Sequence, residues 1–229
     1  MFAFRDSREG DVSRLRVDVA FTDSSLDLQG LEDDFPQVLS RLEGEVGVPL
    51  ARASQVHGDE VLLVDAPVPL GQAPTADALV TTTRGLGLMV RVADCVPVVL
   101  ADVEAGVVGA VHSGRPGMVL GIAARAVEVM REQGASDVVA WLGPHVCGSC
   151  YEVPEQMRAE VSAVVPEAYA ETSWGTPSVD VGAGVRAQLE RVGVEVLEVG
   201  GCTLEEQGLH SYRRDGSAAG RFAGLVWLS

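Results

Sequence analysis

The sequence predicts an α/β or α+β protein with one core, on three observations. Short Val- and Leu-rich runs recur between residues 61 and 142. Segments with helical apolar spacing flank them at 35–46, 117–133, 154–165 and 184–192. No internal repeat, low-complexity block or Pro/Gly/Ser linker divides the chain. Continuous apolar runs suit strands covered on both faces. Their irregular alternation with helices argues against a simple β-α repeat and for mixed sheets around a shared core. At 229 residues the chain can bury one sizeable core, so residues 1–229 are expected to form one domain.

The elements follow in order. Arg14 to Thr22 alternates enough for a strand, and Phe35 to Val46 has helical spacing ending at Gly47. Nothing chemical stands out in these first fifty residues. Strands are expected at Val61 to Val64, Ala78 to Thr82, Leu86 to Val92, Val96 to Ala101 and Val107 to Val111. Gly117 to Gln133 reads as one helix with Leu120, Ala123, Ala124, Val127 and Met130 on its buried face and Gly134 as its stop. A buried strand at Val138 to Leu142 follows, then helices at Pro154 to Val165 and Gly184 to Val192 and a last strand over Gly220 to Ser229.

Apolar residues make up 47% of the chain and aromatics only 5%, so Val, Leu and Ala must fill the core. The formal charge of −16 disfavours nucleic-acid binding, because a polyanion meets repulsion overall. All 17 basic residues are Arg. No apolar run reaches the roughly 18 residues a membrane span needs, and the apolar stretch in MFAFRDSREG is too short for a signal peptide. A cytoplasmic location and no membrane partner are therefore expected. In that setting Cys95, Cys147, Cys150 and Cys202 read as thiols, redox groups or metal ligands rather than as a disulfide framework.

Reactive residues cluster where predicted strands end, in Gln55-Val56-His57-Gly58, Ala93-Asp94-Cys95-Val96-Pro97, His112-Ser113-Gly114 and Gly143 to Glu152. His57, Cys95 and His112 offer two imidazoles and one thiolate. Three such ligands suit zinc and leave a fourth position for the water that zinc would activate. Cys95 with His112 also reads as a nucleophile and its general base, oriented by Asp94 or Gln55. The spacing alone leaves both readings open. Cys147-Gly-Ser-Cys150, preceded by His145, has the spacing of a redox pair or of half a zinc site, but no second C-x2-C accompanies it and a structural role is the simpler reading. Arg213 and Arg214 carry planar forks suited to phosphate or carboxylate, and a salt-bridged turn closed by Asp215-Gly216 explains them equally well.

In order, QVHGDEV, TADALVTT, VADCVPVVLAD, GAVHSG, WLGPHVCGSCYEVPEQM, GCT and HSYRRDG..AGR resemble the YfiH-like, or laccase-domain, proteins. These were once called multicopper polyphenol oxidases and are also known as peptidoglycan editing factors. The matching stretches span residues 55 to 221. The resemblance implies an α/β sandwich with mixed sheets, similar to the catalytic domain of a toxin deamidase. It implies that His57, Cys95 and His112 hold zinc, with copper the lesser alternative because four His and four Cys hardly furnish several copper centres. It implies phosphorolysis of adenosine, inosine and methylthioadenosine to free base and ribose 1-phosphate, and deamination of adenosine. The partners are then a purine nucleoside and phosphate; the sequence leaves the oligomeric state open.

On this reading Cys95, His112 and Asp94 are the catalytic candidates, with Glu152 as an alternative proton source. Gln55, Arg115, Arg213 and Arg214 are the candidates for binding substrate. Two departures bear on that binding. The family's His-Ala-Gly-Trp-Arg-Gly is His112-Ser113-Gly114-Arg115-Pro116-Gly117 here, so the guanidinium moves by one residue. The family's Ser-Leu-Asn-Leu is Ser25-Leu26-Asp27-Leu28, with a carboxylate in place of an amide that can donate to phosphate. Two rivals to the phosphorylase stand beside it: a metal-free Cys95/His112 hydrolase or amidase editing peptidoglycan precursors, and a non-catalytic protein that binds metal or nucleoside.

Overall fold

The apolar runs become two mixed sheets packed face to face. In the computed structural model, which describes residues 1–29 and 34–229, one sheet has five strands and the other six. The five-stranded sheet runs β1 (Phe2–Glu9), β2 (Arg16–Thr22), β13 (Phe222–Leu228), β6 (Gly87–Val92) and β3 (Leu50–Arg52). The six-stranded sheet runs β12 (Glu195–Glu198), β9 (Val139–Leu142), β7 (Val96–Asp102), β8 (Val107–Ser113), β5 (Ala78–Thr81) and β4 (Val61–Leu63). A small hairpin, β10 (Tyr169–Glu171) with β11 (Pro177–Val179), lies apart from both. Three pairs are parallel, β3 with β6, β4 with β5 and β9 with β12, and the remaining pairs are antiparallel.

Helices cover the two outer faces. α1 (Phe35–Val46) lays Phe35, Leu39 and Leu42 over Leu50, Met89 and Leu225 of the five-stranded sheet. α3 (Ile122–Glu132) and α5 (Val181–Arg191) pack Ile122, Met130, Val185 and Leu189 on the outer face of the six-stranded sheet. Between the sheets Phe21, Leu88 and Val226 meet Val99, Val108 and Trp141. Because β6, β7, β8 and β13 are buried on both faces, their sequences are continuous apolar runs rather than alternating ones.

The structure corrects the sequence reading in three places. The helix expected over 117–133 is two, α2 (Arg115–Leu120) and α3, because Gly121 takes a left-handed φ of 79° that a helix interior does not tolerate. Leu120 consequently turns out to solvent and Ala124 is only half-buried, while Ala123, Val127 and Met130 are in the core. β1 lies outside the expected elements because two of its half-buried positions are charged. Asp6 accepts from Trp141 Nε1 at 2.9 Å, and the Arg8 guanidinium lies over the same ring at 5.0 Å. The short strands β3, β10, β11 and β12 also fall outside the expected set. α4 (Glu155–Val164) and α6 (Tyr212–Asp215) complete the chain.

Candidate metal centre and cavity

Antiparallel pairing of β7 with β8 sets Val96 opposite Ser113 and Pro97 opposite His112, which puts Cys95 and His112 at the same end of the six-stranded sheet. The chain crosses from β6 in one sheet to β7 in the other through Asp94, which adopts a left-handed φ of 84°. The third segment, Val56 to Gly58, precedes β4 and carries His57 at φ 63°. His57 Nε2 lies 3.6 Å from Cys95 Sγ, and the two imidazoles meet edge to face with centroids 4.7 Å apart. Donor atoms of His57, Cys95 and His112 all lie within 4.8 Å of one another.

Asp77, the residue before β5, organises this geometry. Its carboxylate accepts from Val56 N (3.1 Å), His57 N (2.9 Å) and Gly58 N (2.7 Å), a concave run of N–H groups that the strained His57 backbone makes possible. The same carboxylate is 2.7 Å from His112 Nδ1, which fixes that ring so that its Nε2 edge is free to act as a donor. The Asp77 carbonyl also accepts from His112 N at 2.7 Å. Asp77 is 1% exposed, and a carboxylate so buried has to be paired.

Burial alone would raise the Asp77 carboxyl, but the His112 bond and the Gly58 and Val56 N–H groups outweigh it and hold it down to about 2. Burial likewise works against the Cys95 thiolate, and the His112 and His57 imidazoles overcome it, bringing the thiol down to about 6. His112 moves the other way. Burial lowers it, yet Asp77 and Cys95 together raise it to about 9.

Above the trio opens a cavity of about 780 Å³ lined by His57, Cys95, His112, Asp94 and two tyrosines, Tyr151 and Tyr212. Four of the chain's guanidiniums, Arg91, Arg115, Arg213 and Arg221, also line it. Arg213 lies over the Tyr151 ring at 4.5 Å and Arg221 over the Tyr212 ring at 5.9 Å. Arg91 is held under the cavity by Leu28 O at 3.3 Å, and its Nε is buried without a partner among the described residues. Burial, Arg52 and Arg221 all depress its pKa, as expected of a buried guanidinium among like charges.

The other residues expected at the site divide into those that face the cavity freely and those already engaged. Arg115 opens α2 and lines the cavity; Pro116 beside it sits in the first helical turn, where no backbone N–H is missed. The displaced guanidinium is therefore still in the site. Gln55 lines the cavity, but its amide is stapled to the Arg91 backbone by two bonds, Nε2 to O at 2.7 Å and N to Oε1 at 2.9 Å. Asp94 lines it too, with one carboxylate oxygen accepting from Thr203 Oγ1 and the other from Arg213 N, each at 2.6 Å.

Arg214 is a correction. Its guanidinium donates to the carbonyls of Thr203, Glu206 and Leu209 and to Asp215, so it braces a loop and does not line the cavity. Glu152 is exposed and accepts from Trp174 Nε1 at 2.8 Å, also away from the cavity. Asp27 accepts from the backbone N–H groups of Gln29 and Arg221, both at 2.9 Å, and does not line the cavity either.

Sequence reasoning missed Asp77, Arg91, Arg221, Tyr151 and Gly114. The signal for Asp77 is a carboxylate at the head of a wholly apolar run, where an unpaired charge is not tolerated. Gly114 leaves no signal at all: a Cβ there would lie 2.5 Å from His57 Cδ2 and 3.1 Å from Cys95 Sγ, so the metal-competent trio needs a hydrogen at that position.

Fold and site together define an α/β sandwich protein with a two-imidazole, one-thiol centre under a cation-lined cavity. The chain belongs to the family described as multi-copper polyphenol oxidoreductase laccase, whose sequence profile matches residues 3–229. It is 56% identical over 189 residues to a purine nucleoside phosphorylase of Streptomyces coelicolor, a match that covers 80% of this chain and 78% of that one. It is 48% identical to a purine nucleoside phosphorylase of Streptomyces griseus, covering 99% and 94% of the two. A crystal structure of a Neisseria meningitidis protein of the DUF152 family superposes with a TM-score of 0.80 at 29% identity, covering 93% of this chain and 94% of that one. The mixed α/β fold and the family expected from the motifs are both found.

Proposed function

We propose that this protein is a purine nucleoside phosphorylase whose centre holds zinc on His57, Cys95 and His112, acting in the cytoplasm as one domain. The observation that carries the reading is the juxtaposition of that trio with four guanidiniums in one cavity of a chain whose net charge is −16. The similarity to purine nucleoside phosphorylases supports it. The donor set fits zinc better than several coppers, because His145 Nδ1 and His210 Nε2 are each bonded to a backbone carbonyl and only two imidazoles reach the centre.

When bound, zinc would supply a Lewis acid and the means to activate water, which also accommodates an adenosine deaminase activity. The chain's own residues do the rest. Arg213, Arg115, Arg91 and Arg221 present planar forks for phosphate beside the ribose, and the Tyr151 and Tyr212 rings offer faces for the purine. Asp77 holds the Nδ1 proton of His112 and keeps His57 in place through three N–H bonds. Asp94 anchors the Arg213 backbone, setting that guanidinium over the cavity.

The test is phosphate-dependent release of free base and ribose 1-phosphate from adenosine, inosine and methylthioadenosine on zinc-loaded protein, with Arg213→Ala and Arg115→Ala raising KM for phosphate tenfold or more, about 1.4 kcal/mol each. Nucleoside binding without turnover would move the protein to the non-catalytic reading. One observation favours a second enzyme class: without metal, the Asp77–His112–Cys95 chain would form a thiolate–imidazolium pair of the kind cysteine hydrolases use. That reading requires a metal-free active protein that thiol alkylation abolishes, and His57 would be dispensable to it.

A further inference from the structure

The three cysteines that the trio leaves over come together on the other side of Asp94. Cys147 and Cys150 form a tight turn in which Cys150 N and Tyr151 N both donate to Cys147 O at 3.0 Å. Cys202 and Glu205, at the same two-residue spacing, repeat it: Glu205 N and Glu206 N donate to Cys202 O at 3.1 and 2.9 Å. A parallel bridge between His145 and Cys202 lays the two turns side by side, through His145 N to Gly201 O at 3.3 Å and Thr203 N to His145 O at 3.0 Å. The chain thus has a C-x2-C turn facing a C-x2-E turn, and the four donor atoms lie within 4.8 Å of one another.

We propose that Cys147, Cys150, Cys202 and Glu205 are the ligands of a second metal site, a closed four-donor site for zinc that is separate from the His57–Cys95–His112 centre. Cys150 and Cys202 are 6% and 8% exposed, Cys147 is half-buried, and Glu205 reaches in from the solvent side. None of the four lines the cavity, so the site is shaped to hold an ion rather than to act on a substrate. Cys147 N points at Cys202 Sγ from 3.4 Å, a bond that a metal-bound thiolate accepts more strongly than a thiol.

Binding one zinc ion releases the three thiol protons and leaves a net charge of −2 on the ion and its four ligands. Arg214 braces the second turn, with its guanidinium on the carbonyls of Thr203 and Glu206 and its charge paired with Asp215. A redox dithiol explains the cluster less well. Three cysteines leave one over, a carboxylate serves no purpose in a disulfide exchange, and Cys147 does not start a helix that would activate it. The site's place in the fold gives it a task. Thr203, between Cys202 and Glu205, donates to Asp94, and Tyr151, next to Cys150, lines the cavity under Arg213. An ion clamping the two turns would fix the cavity wall from behind.

The test is the zinc content of the full chain, purified without chelators, for wild type, Cys95→Ala and the double variant Cys147→Ser/Cys150→Ser, with circular dichroism to confirm folding. Two zinc ions per wild-type chain, with one retained in Cys95→Ala, are expected. Cobalt(II) reconstituted into Cys95→Ala should show strong thiolate-to-cobalt charge-transfer absorption, and adding Cys147→Ser/Cys150→Ser to that variant should abolish it. A folded Cys95→Ala protein that binds no metal, or a wild type with a single zinc and an intramolecular disulfide by mass, would overturn the proposal. Cys95→Ala carries the test even if the double variant does not fold.

Discussion

The two cysteine-bearing clusters in this protein make opposite use of similar donors. At the cavity, one thiol stands between two imidazoles, and Cys95 comes down to about 6 although burial opposes it. Behind the cavity wall, burial and neighbouring thiols push Cys150 far up instead. The first cluster is open, with three donors and a free side facing a cavity; the second is closed by a fourth donor and faces none. What separates them is the company each sulfur keeps. Imidazoles stabilise a thiolate before any metal arrives, whereas thiols around a thiol only make deprotonation harder until a cation compensates.

Removing Asp77 should break the comparison most severely. Asp77→Ala strands three N–H groups and the His112 Nδ1 proton, a loss of about 3–5 kcal/mol for one side of a buried ionic pair. Denaturant unfolding should show that loss, and metal analysis should show the trio empty while the Cys147 cluster keeps its ion. The same carboxyl sets an acid limit on stability. Because its pKa is depressed from 3.8 to about 2, it contributes about 2 kcal/mol above the ordinary carboxylate range, and that contribution disappears as the pH falls toward 2. The acid limb of a stability–pH curve should flatten in the variant.

A smaller effect is expected from Gly114→Ala, whose added methyl would press on His57 Cδ2 at 2.5 Å. Overpacking of this kind costs about 1–3 kcal/mol. Zinc affinity at the trio should fall at least tenfold by competition with a chelator, and the second cluster should be unaffected. The mildest test is chemical. In metal-free protein at pH 7, Cys95 should react with iodoacetamide about fivefold faster than an ordinary thiol, since its larger thiolate fraction is partly offset by lower nucleophilicity. Its rate should show a midpoint near pH 6, while Cys150 stays inert; equal reactivity of the two would erase the contrast.

The first cluster was legible in the sequence and only the Cys147–Cys150 half of the second was, and the reason is geometric. Cys95 and His112 stand at the ends of recognisable apolar runs and His57 shortly precedes another, and strand ends are where sites are sought. Cys202 and Glu205 sit in a segment without periodicity, and Cys202 meets Cys147, 55 residues earlier, only through an isolated bridge. Asp77 was visible as a residue and not as an organiser, because its role depends on the left-handed turn at His57. The same blindness to backbone conformation let Gly121 pass as one more helical residue. Arg214 shows the converse: two adjacent arginines look alike in sequence, yet one faces a cavity and the other is consumed by three carbonyls. The doubly buried strands were easy to find because their composition is dictated from both sides. β1 was hard because Asp6 and Arg8 occupy two of its half-buried positions.

The position of β13 has a bearing on how the protein emerges from the ribosome. Every strand of the six-stranded sheet has been synthesised by Glu198, so the elements that carry His57, Cys95 and His112 can assemble while the chain is still being made. The other sheet cannot close so early. β13 lies in its middle, between β2 and β6, and until residue 228 appears those two strands have unpaired inner edges. The phosphate cradle inherits the delay, since Arg213 and Arg221 come immediately before the missing strand. A nascent chain stalled short of β13 would therefore present ligands for metal before it could bind substrate, along with two open edges that invite association with other chains.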